Sequence, residues 1–310
     1  MKKRKKQFLV FAGAILLVWL LRSFLFTTYV IPSSGMENSL LQGDRILVNK
    51  WSYGLRTPFS SLFSYHRWCY KNVQSGEIVV FNNPASDKEE ISRREVFIGR
   101  CVGTPGDTLR IDSLLVIQTQ PKVSGPDRKS LYSYPIEREA TMDSLLTALA
   151  ITENELLGSN DSCHARSFSH YEYYLLEQAL GSNNWIRPAI GETGEEIRTF
   201  VIPRRGETVA IRPWNLTLML NTILLHEQRN AYAKEGQLYV DGQPVTSFTF
   251  SKDYYWMASN NVINLNDSRL FGLVPHDHLI GKASIVWFSK EAYSGFGRGY
   301  RWNRFFTRVK

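Results

Sequence analysis

The beginning of this chain constrains it most. Five basic residues, Lys2, Lys3, Arg4, Lys5 and Lys6, precede an uncharged run, FLVFAGAILLVWLL, over 8–21. Arg22 interrupts it, and Phe24, Leu25, Phe26 and Tyr29–Ile31 continue the apolar character. The stretch 7–31 is long enough to cross about 30 Å of hydrocarbon, with Arg22 snorkelling from its outer part. No small-x-small site follows the apolar core, because Arg22-Ser23-Phe24-Leu25 is bulky. The segment therefore reads as an uncleaved anchor rather than a signal peptide. Basic residues before a span hold the N-terminus in the cytoplasm, and no later stretch is apolar enough to return. The expectation is a single-pass protein of the inner (cytoplasmic) membrane. It would have a cytoplasmic tail over 1–6, a transmembrane anchor over 7–31 and its bulk in a periplasm-like space.

Beyond the anchor the chain is an ordinary folded protein. Of 310 residues, 43% are hydrophobic and 13% aromatic, above the range of disordered chains. The formal net charge of +8 owes much to the N-terminal cluster. With no zinc-finger spacing, no Gly-rich phosphate loop and no RNA-binding signature, a nucleic-acid partner is excluded. Three cysteines, Cys69, Cys101 and Cys163, are odd in number and show no paired spacing. They give no disulfide framework and read as free buried thiols. His276-Asp277-His278 reads as a surface loop rather than a metal site; no metal and no cofactor is expected.

The rest alternates short strands with turn signals. RILV (45–48), EIVVF (77–81) and Glu95–Val102 are strand-like, and the last ends at Thr104-Pro105-Gly106-Asp107. Leu109–Thr119 continues as strand. Residues 120–200 are polar, with helical spacing over 140–157 capped by Thr141 or Asp143. Glu207–Ile211 is strand-like, Asn215–Glu235 has leucines at helical spacing, and Asp241-Gly242 marks a hairpin. Tyr254–Val262 and His278–Phe288 look like terminal strands. The fold class is mainly β: an antiparallel β-core preceded by one transmembrane helix and interrupted by an α+β insertion. The first part of the core covers 32–119 and the insertion 120–245, with a helix at about 215–235. The last part of the core covers 246–310.

Four ordered boxes carry a resemblance. They are Ile31-Pro32-Ser33-Ser34-Gly35-Met36 with Leu40, Gly43-Asp44 and Ile46–Lys50; Ser75-Gly76-Glu77 through Phe81; Phe97-Ile98-Gly99-Arg100-Cys101-Val102-Gly103-Thr104-Pro105-Gly106-Asp107; and Ser259-Asn260-Asn261 through Asn266-Asp267-Ser268-Arg269. Their order and spacing, from residue 7 to about 290, resemble the type I signal peptidase family (bacterial leader peptidase), in a Bacteroidetes-like form. The resemblance implies a serine endopeptidase that removes signal peptides, with the variable second domain falling at 120–200.

In such an enzyme a serine oxygen attacks the peptide bond and a neutral lysine takes its proton. Apolar burial keeps that lysine neutral near pH 7, and donors of an oxyanion hole stabilise the intermediate. On the matched positions this chain departs from the pattern. The nucleophile position is Gly35, the base position is Gly99, and the serine that holds the lysine aligns with Leu265. Ser33, the implied oxyanion hydroxyl, is retained, as are Asp267 and Arg269, the implied structural ion pair. Ser34 is the fallback nucleophile. On a strand, however, a one-residue shift turns a side chain to the opposite face, and Arg100 beside the base slot stays protonated. Lys50 reads as a solvated strand-end residue. Positions matching the family's substrate cleft are Ile31, Pro32, Met36, Leu40, Phe97 and Ile98, each of which also fits a core role.

Three functions stay open. One is a catalytically impaired or inactive relative that binds the signal-peptide regions of exported preproteins or partners an active signal peptidase paralogue in the bilayer. The second is an active peptidase with a displaced nucleophile, and the third a structural envelope protein.

Overall fold

The computed structural model describes residues 2–57, 65–86, 90–111, 129–151, 154, 156–189, 198–260, 267–291, 294, 295 and 297–309. The N-terminal helix α1 runs over Lys2–Phe24. Its part from Lys6 to Phe24 has a mean hydropathy of 1.9 and, among the described residues, no side chain buried in the molecule. At 1.5 Å per residue these 19 residues span about 28 Å, close to the hydrocarbon thickness of a bilayer. The helix stops earlier than the expected anchor limit of Ile31. Phe26–Val30 instead forms strand β1, because its Thr-Thr-Tyr-Val sequence favours extended backbone and a partner strand is available.

That partner is β2 (Asp44–Asn49). β3 (Ile78–Asn82), β4 (Val96–Gly103), β16 (Tyr254–Ala258), β17 (Val274–Pro275), β18 (Leu279–Ser289) and β19 (Thr307–Arg308) complete an eight-stranded sheet of order β1-β2-β18-β3-β4-β16-β17, with β19 on β18. Between β4 and β16 the chain forms β5 (Thr108–Ile111), β6 (Lys129–Pro135), α2 (Glu139–Ala148), β7 (Leu156–Ser159), β8 (Cys163–Ser169), α3 (His170–Leu180) and β9 (Arg187–Pro188). β10 (Arg198–Val201), β11 (Thr208–Ala210), α4 (Leu216–His226), β12 (Ala231–Lys234), β13 (Gln237–Val240), β14 (Gln243–Val245) and β15 (Ser247–Thr249) follow. The expected strand beyond Ile111 lies outside the described residues.

Alternation along the strands sorts the core into two faces of the large sheet. Ile78, Val80 and Ile98 join Ile31, Met36, Leu40 and Ile46 on one face. Val79, Phe81, Phe97 and Cys101 join Tyr53, Tyr255 and Met257 on the other. The range 120–245 divides between two further clusters. Tyr134, Met142, Phe168, Leu176 and Ile186 form one within 129–188. Phe200, Met219, Ile223 and Leu238 pack instead on Leu109 and Trp256. α2 begins at Glu139, ahead of the expected caps, and Asp143 pairs with Arg166 at 3.0 Å. α4 ends at His226, where β12 and β13 form a hairpin rather than more helix. All three cysteines are free, but only Cys101 is buried.

Two close approaches are notable. Lys50 is not a free strand-end residue: its ammonium donates to the Ser23 carbonyl at 2.6 Å and its N–H to that of Leu25 at 2.8 Å, capping α1. Burial, then the Arg56 and Arg22 cations, lower the Lys50 pKa. At Gly281, where β18 crosses β2, an added Cβ would lie 2.2 Å from the Asn49 carbonyl oxygen. The obstacle is backbone, so Gly281→Ala is expected to cost about 1–3 kcal/mol or more and to lower the melting temperature by roughly 4–8 °C. Melting of the detergent-solubilised chain checks this; an unchanged transition would contradict the close crossing.

Candidate active-site cleft

The segment matching the nucleophile box is a tight turn. Ser33 is extended (φ −145°, ψ 170°) and leads into a single 3-10 turn over Ser34–Met36. Glu37 N–H donates to Ser34 O at 3.0 Å and Leu40 N–H to Met36 O at 2.7 Å. Buried Asp44 fixes the far end: it accepts from Leu41 N–H at 2.9 Å and pairs with Arg304 at 2.6 Å. Gly35 sits half-buried in the turn. Among the described residues neither the Ser33 nor the Ser34 hydroxyl makes a hydrogen bond to a group able to act as base.

Gly99 lies in β4 opposite Val79. A Cβ there would point at Met257 Cβ (3.3 Å), Ala258 O (3.4 Å) and Phe81 Cε1 (3.5 Å), so the slot is apolar and tight. Its neighbour Arg100 turns the other way, as strand alternation requires. The guanidinium donates to Gly76 O at 2.9 Å, to Ser39 Oγ at 2.7 Å and to Asn260 Oδ1 at 3.3 Å. Asn260, buried, donates in turn to Glu37 O and to Ser39 Oγ, both at 3.1 Å. These two side chains tie the Ser34–Met36 turn, β4 and the end of β16 together.

A residue from the insertion completes the cluster. Lys129, the first residue of β6, donates its N–H to Asn260 O at 2.8 Å. Its side chain is fully buried, with Nζ 3.3 Å from Glu37 Oε2 and 3.8 Å from Glu172 Oε1. Glu172 is held by a capping box with Ser169 at the start of α3. Ser39, Glu37 and Lys129 escape sequence reading. Ser39 and Glu37 fall between motif positions, and Lys129 lies in the motif-free stretch, where only the fold brings it here.

The positions matching the substrate cleft differ in what they present. Ile31, Met36 and Leu40 are 3% exposed or less; side chains with so little surface cannot touch a peptide, so these belong to the core beneath this segment. Pro32 is exposed, and Phe97 and Ile98 are half-buried on opposite faces of β4. Asp267, 1% exposed, accepts from Ser259 N–H at 3.0 Å and pairs with Arg269 at 2.5 Å. Ser268 Oγ accepts from Met257 N–H at 2.9 Å, clamping this last box onto β16. Leu265 lies outside the described residues.

His276 and His278 are not on a surface loop; both are buried. Tyr255 and the Tyr53 carbonyl contact the His276 ring at 3.0 and 3.3 Å. Asp277 and Arg94 contact the His278 ring at 2.7 and 3.0 Å. Burial pushes His226 and His276 down to about 3. Among the described residues no three His, Cys, Asp or Glu side chains are grouped to hold a metal.

The profile of the family described as signal peptidase, peptidase S26, matches residues 4–171 and 200–288. "Signal peptidase I" of Buchnera aphidicola subsp. Schizaphis graminum is 26% identical over 275 residues, covering 89% of this chain and 72% of the relative. "Probable signal peptidase I-2" of Synechocystis sp. is 36% identical over 209 residues, covering 64% and 83%. "Signal peptidase I" of Aquifex aeolicus is 25% identical over 291 residues, covering 92% and 84%.

Proposed function

Because the chain belongs to the signal peptidase family, peptidase S26, we propose that it is a membrane-anchored, signal peptidase I-like protein whose cleft holds signal-peptide regions of exported preproteins without cutting them. The observation that carries this reading is the content of the cleft. The two positions that would supply nucleophile and base are Gly35 and Gly99. Arg100, Asn260, Ser39, Glu37 and Lys129, clustered beside this turn, are engaged with one another. General-base catalysis needs an acceptor within reach of the nucleophile's proton. An arginine cannot serve, and Lys129 Nζ is engaged with Glu37 at 3.3 Å. Ser33 keeps the position of the oxyanion hydroxyl, and Pro32, Phe97 and Ile98 offer surface to a peptide. The basic tail before α1 supports an N-terminus in the cytoplasm and a cleft on the outer side of the inner membrane. Partners would be preproteins or an active paralogue.

The test uses the full chain in detergent with a preprotein carrying an Ala-x-Ala site. No cleavage is expected where an active signal peptidase I cuts to completion. Binding is expected to saturate and to weaken at least tenfold in Pro32→Asp or Ile98→Glu. Cleavage that disappears in Ser34→Ala would overturn the reading in favour of a displaced nucleophile. Absence of both cleavage and binding would leave a structural envelope role.

A further inference from the structure

A second site sits where α1 meets the sheet. Residues 7–76 carry six lysines and arginines against two acids, Glu37 and Asp44. Both acids are taken elsewhere, Glu37 by Lys129 at 3.3 Å and Asp44 by Arg304 at 2.6 Å. The fold gathers three of the six cations at one end of α1. Arg22 lies in the last turn of the helix and is exposed. Lys50, directly after β2, donates to the Arg22 and Ser23 carbonyls at 3.4 and 2.6 Å. Arg56 comes from the short ladder that pairs Leu55 and Arg56 with Trp68 and Arg67.

The charges act on one another. Those of Arg22 and Arg56 both reach Lys50 and Tyr29. The C-terminal end of α1 offers about half an elementary charge of opposite sign, which leaves most of three positive charges to be met. Asp277 also acts on Arg56, but it is paired with Lys252 at 2.7 Å. Donors are left over as well, since an ammonium has three and a guanidinium five. Lys50 spends two on the helix carbonyls, and Arg56 gives one to Asn82 Oδ1 at 2.9 Å, with its guanidinium 5.8 Å from the centre of the Tyr65 ring. Arg67 in the same ladder is committed to the carbonyls of Tyr53, Gly54 and Leu279.

The level of the cluster identifies the anion. It stands at the end of a 19-residue apolar span, where a bilayer places its phosphates. Trp51, next to Lys50, is 52% exposed, and Trp68, opposite Leu55, is 48% exposed; tryptophan is enriched at that depth. We propose that Arg22, Lys50 and Arg56 bind the phosphate of an anionic phospholipid in the leaflet at this end of α1, so that a lipid headgroup joins the anchor to the sheet. The proposal rests on α1 spanning a bilayer and does not depend on whether the cleft cuts or holds preproteins.

Native mass spectrometry of the full chain in neutral detergent, titrated with phosphatidylglycerol or phosphatidylcholine, tests it. Phosphatidylglycerol is expected to bind at least tenfold tighter. The basic tail at the other end of α1 attracts the same lipid, so the variants decide. Arg22→Gln with Arg56→Gln is expected to weaken phosphatidylglycerol at least tenfold and to leave phosphatidylcholine unchanged. Arg22→Gln alone, at an exposed helix position that leaves the ladder untouched, is expected to weaken it threefold or more. Arg22→Lys with Arg56→Lys keeps the charges and most of the binding, and Arg110→Gln, exposed on β5, changes nothing. Glycerol phosphate, the headgroup without its chains, is expected not to compete. Equal affinity for the two lipids, a preference unchanged in both glutamine variants, or displacement by glycerol phosphate would overturn the proposal. Co-flotation with pure phosphatidylcholine vesicles tests the anchor separately: a chain that floats without a lipid preference loses only the headgroup site, whereas one that does not float loses both.

Discussion

Lys129→Met is expected to lower the melting temperature of the chain by roughly 10 °C. The lysine side chain is fully buried and the Glu37 side chain is 9% exposed, so the variant leaves a carboxylate under the surface without its ammonium. Breaking a buried pair from one side costs about 3–5 kcal/mol, whereas removing both charges together is nearly neutral. At a few degrees per kcal/mol for a chain of this size, the single variant shows a large drop. The double variant Lys129→Met with Glu37→Gln recovers at least half of it. Thermal melts by circular dichroism check both. A single variant melting within 2 °C of the parent would mean that the ion pair does not hold the insertion to the turn at Ser34–Met36.

The second large effect is acid lability. His226 and His276 are held neutral by burial, with pKa values of about 3, against about 6.5 in an unfolded chain. Other groups facing them are mixed: His278, Lys252 and Arg94 oppose a charge on His226, Arg67 opposes one on His276, and Asp277 favours both. Because the folded values are lowered, the unfolded state binds more protons between these limits. Stability is thus fully present above pH 6.5 and is lost as the pH falls toward 3. Each histidine contributes a slope of about 1.4 kcal/mol per pH unit in that window, so the pair removes about 5 kcal/mol by pH 4.5. Denaturant midpoints measured from pH 7.5 to 4.5 should fall steeply below 6.5. His276→Gln should reduce the slope by about half; a flat profile in the parent would refute the account.

Much of the sheet was legible because its signals are local. EIVVF reads as a fully buried strand, and Ile78–Asn82 is one. Thr104-Pro105-Gly106-Asp107 reads as a turn, and Asp107 closes it by accepting from Thr104 N–H at 2.8 Å while Gly106 takes φ +87°. Asp241-Gly242 joins β13 to β14 with both residues at positive φ, as a two-residue hairpin requires. What the chain did not disclose depends on distant partners. Phe26–Val30 is apolar enough to extend a membrane helix, and only pairing with β2 makes it a strand. Pro-His-Asp-His resembles a surface loop until Tyr53, Tyr255 and Arg94 close over it. Lys129 reads as one more polar residue until it meets Glu37 and Asn260. Gly35 and Gly99 were readable in their boxes, but the arginine–asparagine–serine clamp beside them was not, since no spacing along the chain announces it.

The junction between helix and sheet sets a standing height. Only Leu25 separates α1 from β1, and Lys50 fastens that step by seizing the carbonyls of Ser23 and Leu25. Were α1 seated in lipid, the turn that carries Gly35, which follows β1, would stand a short, fixed step of chain above the bilayer.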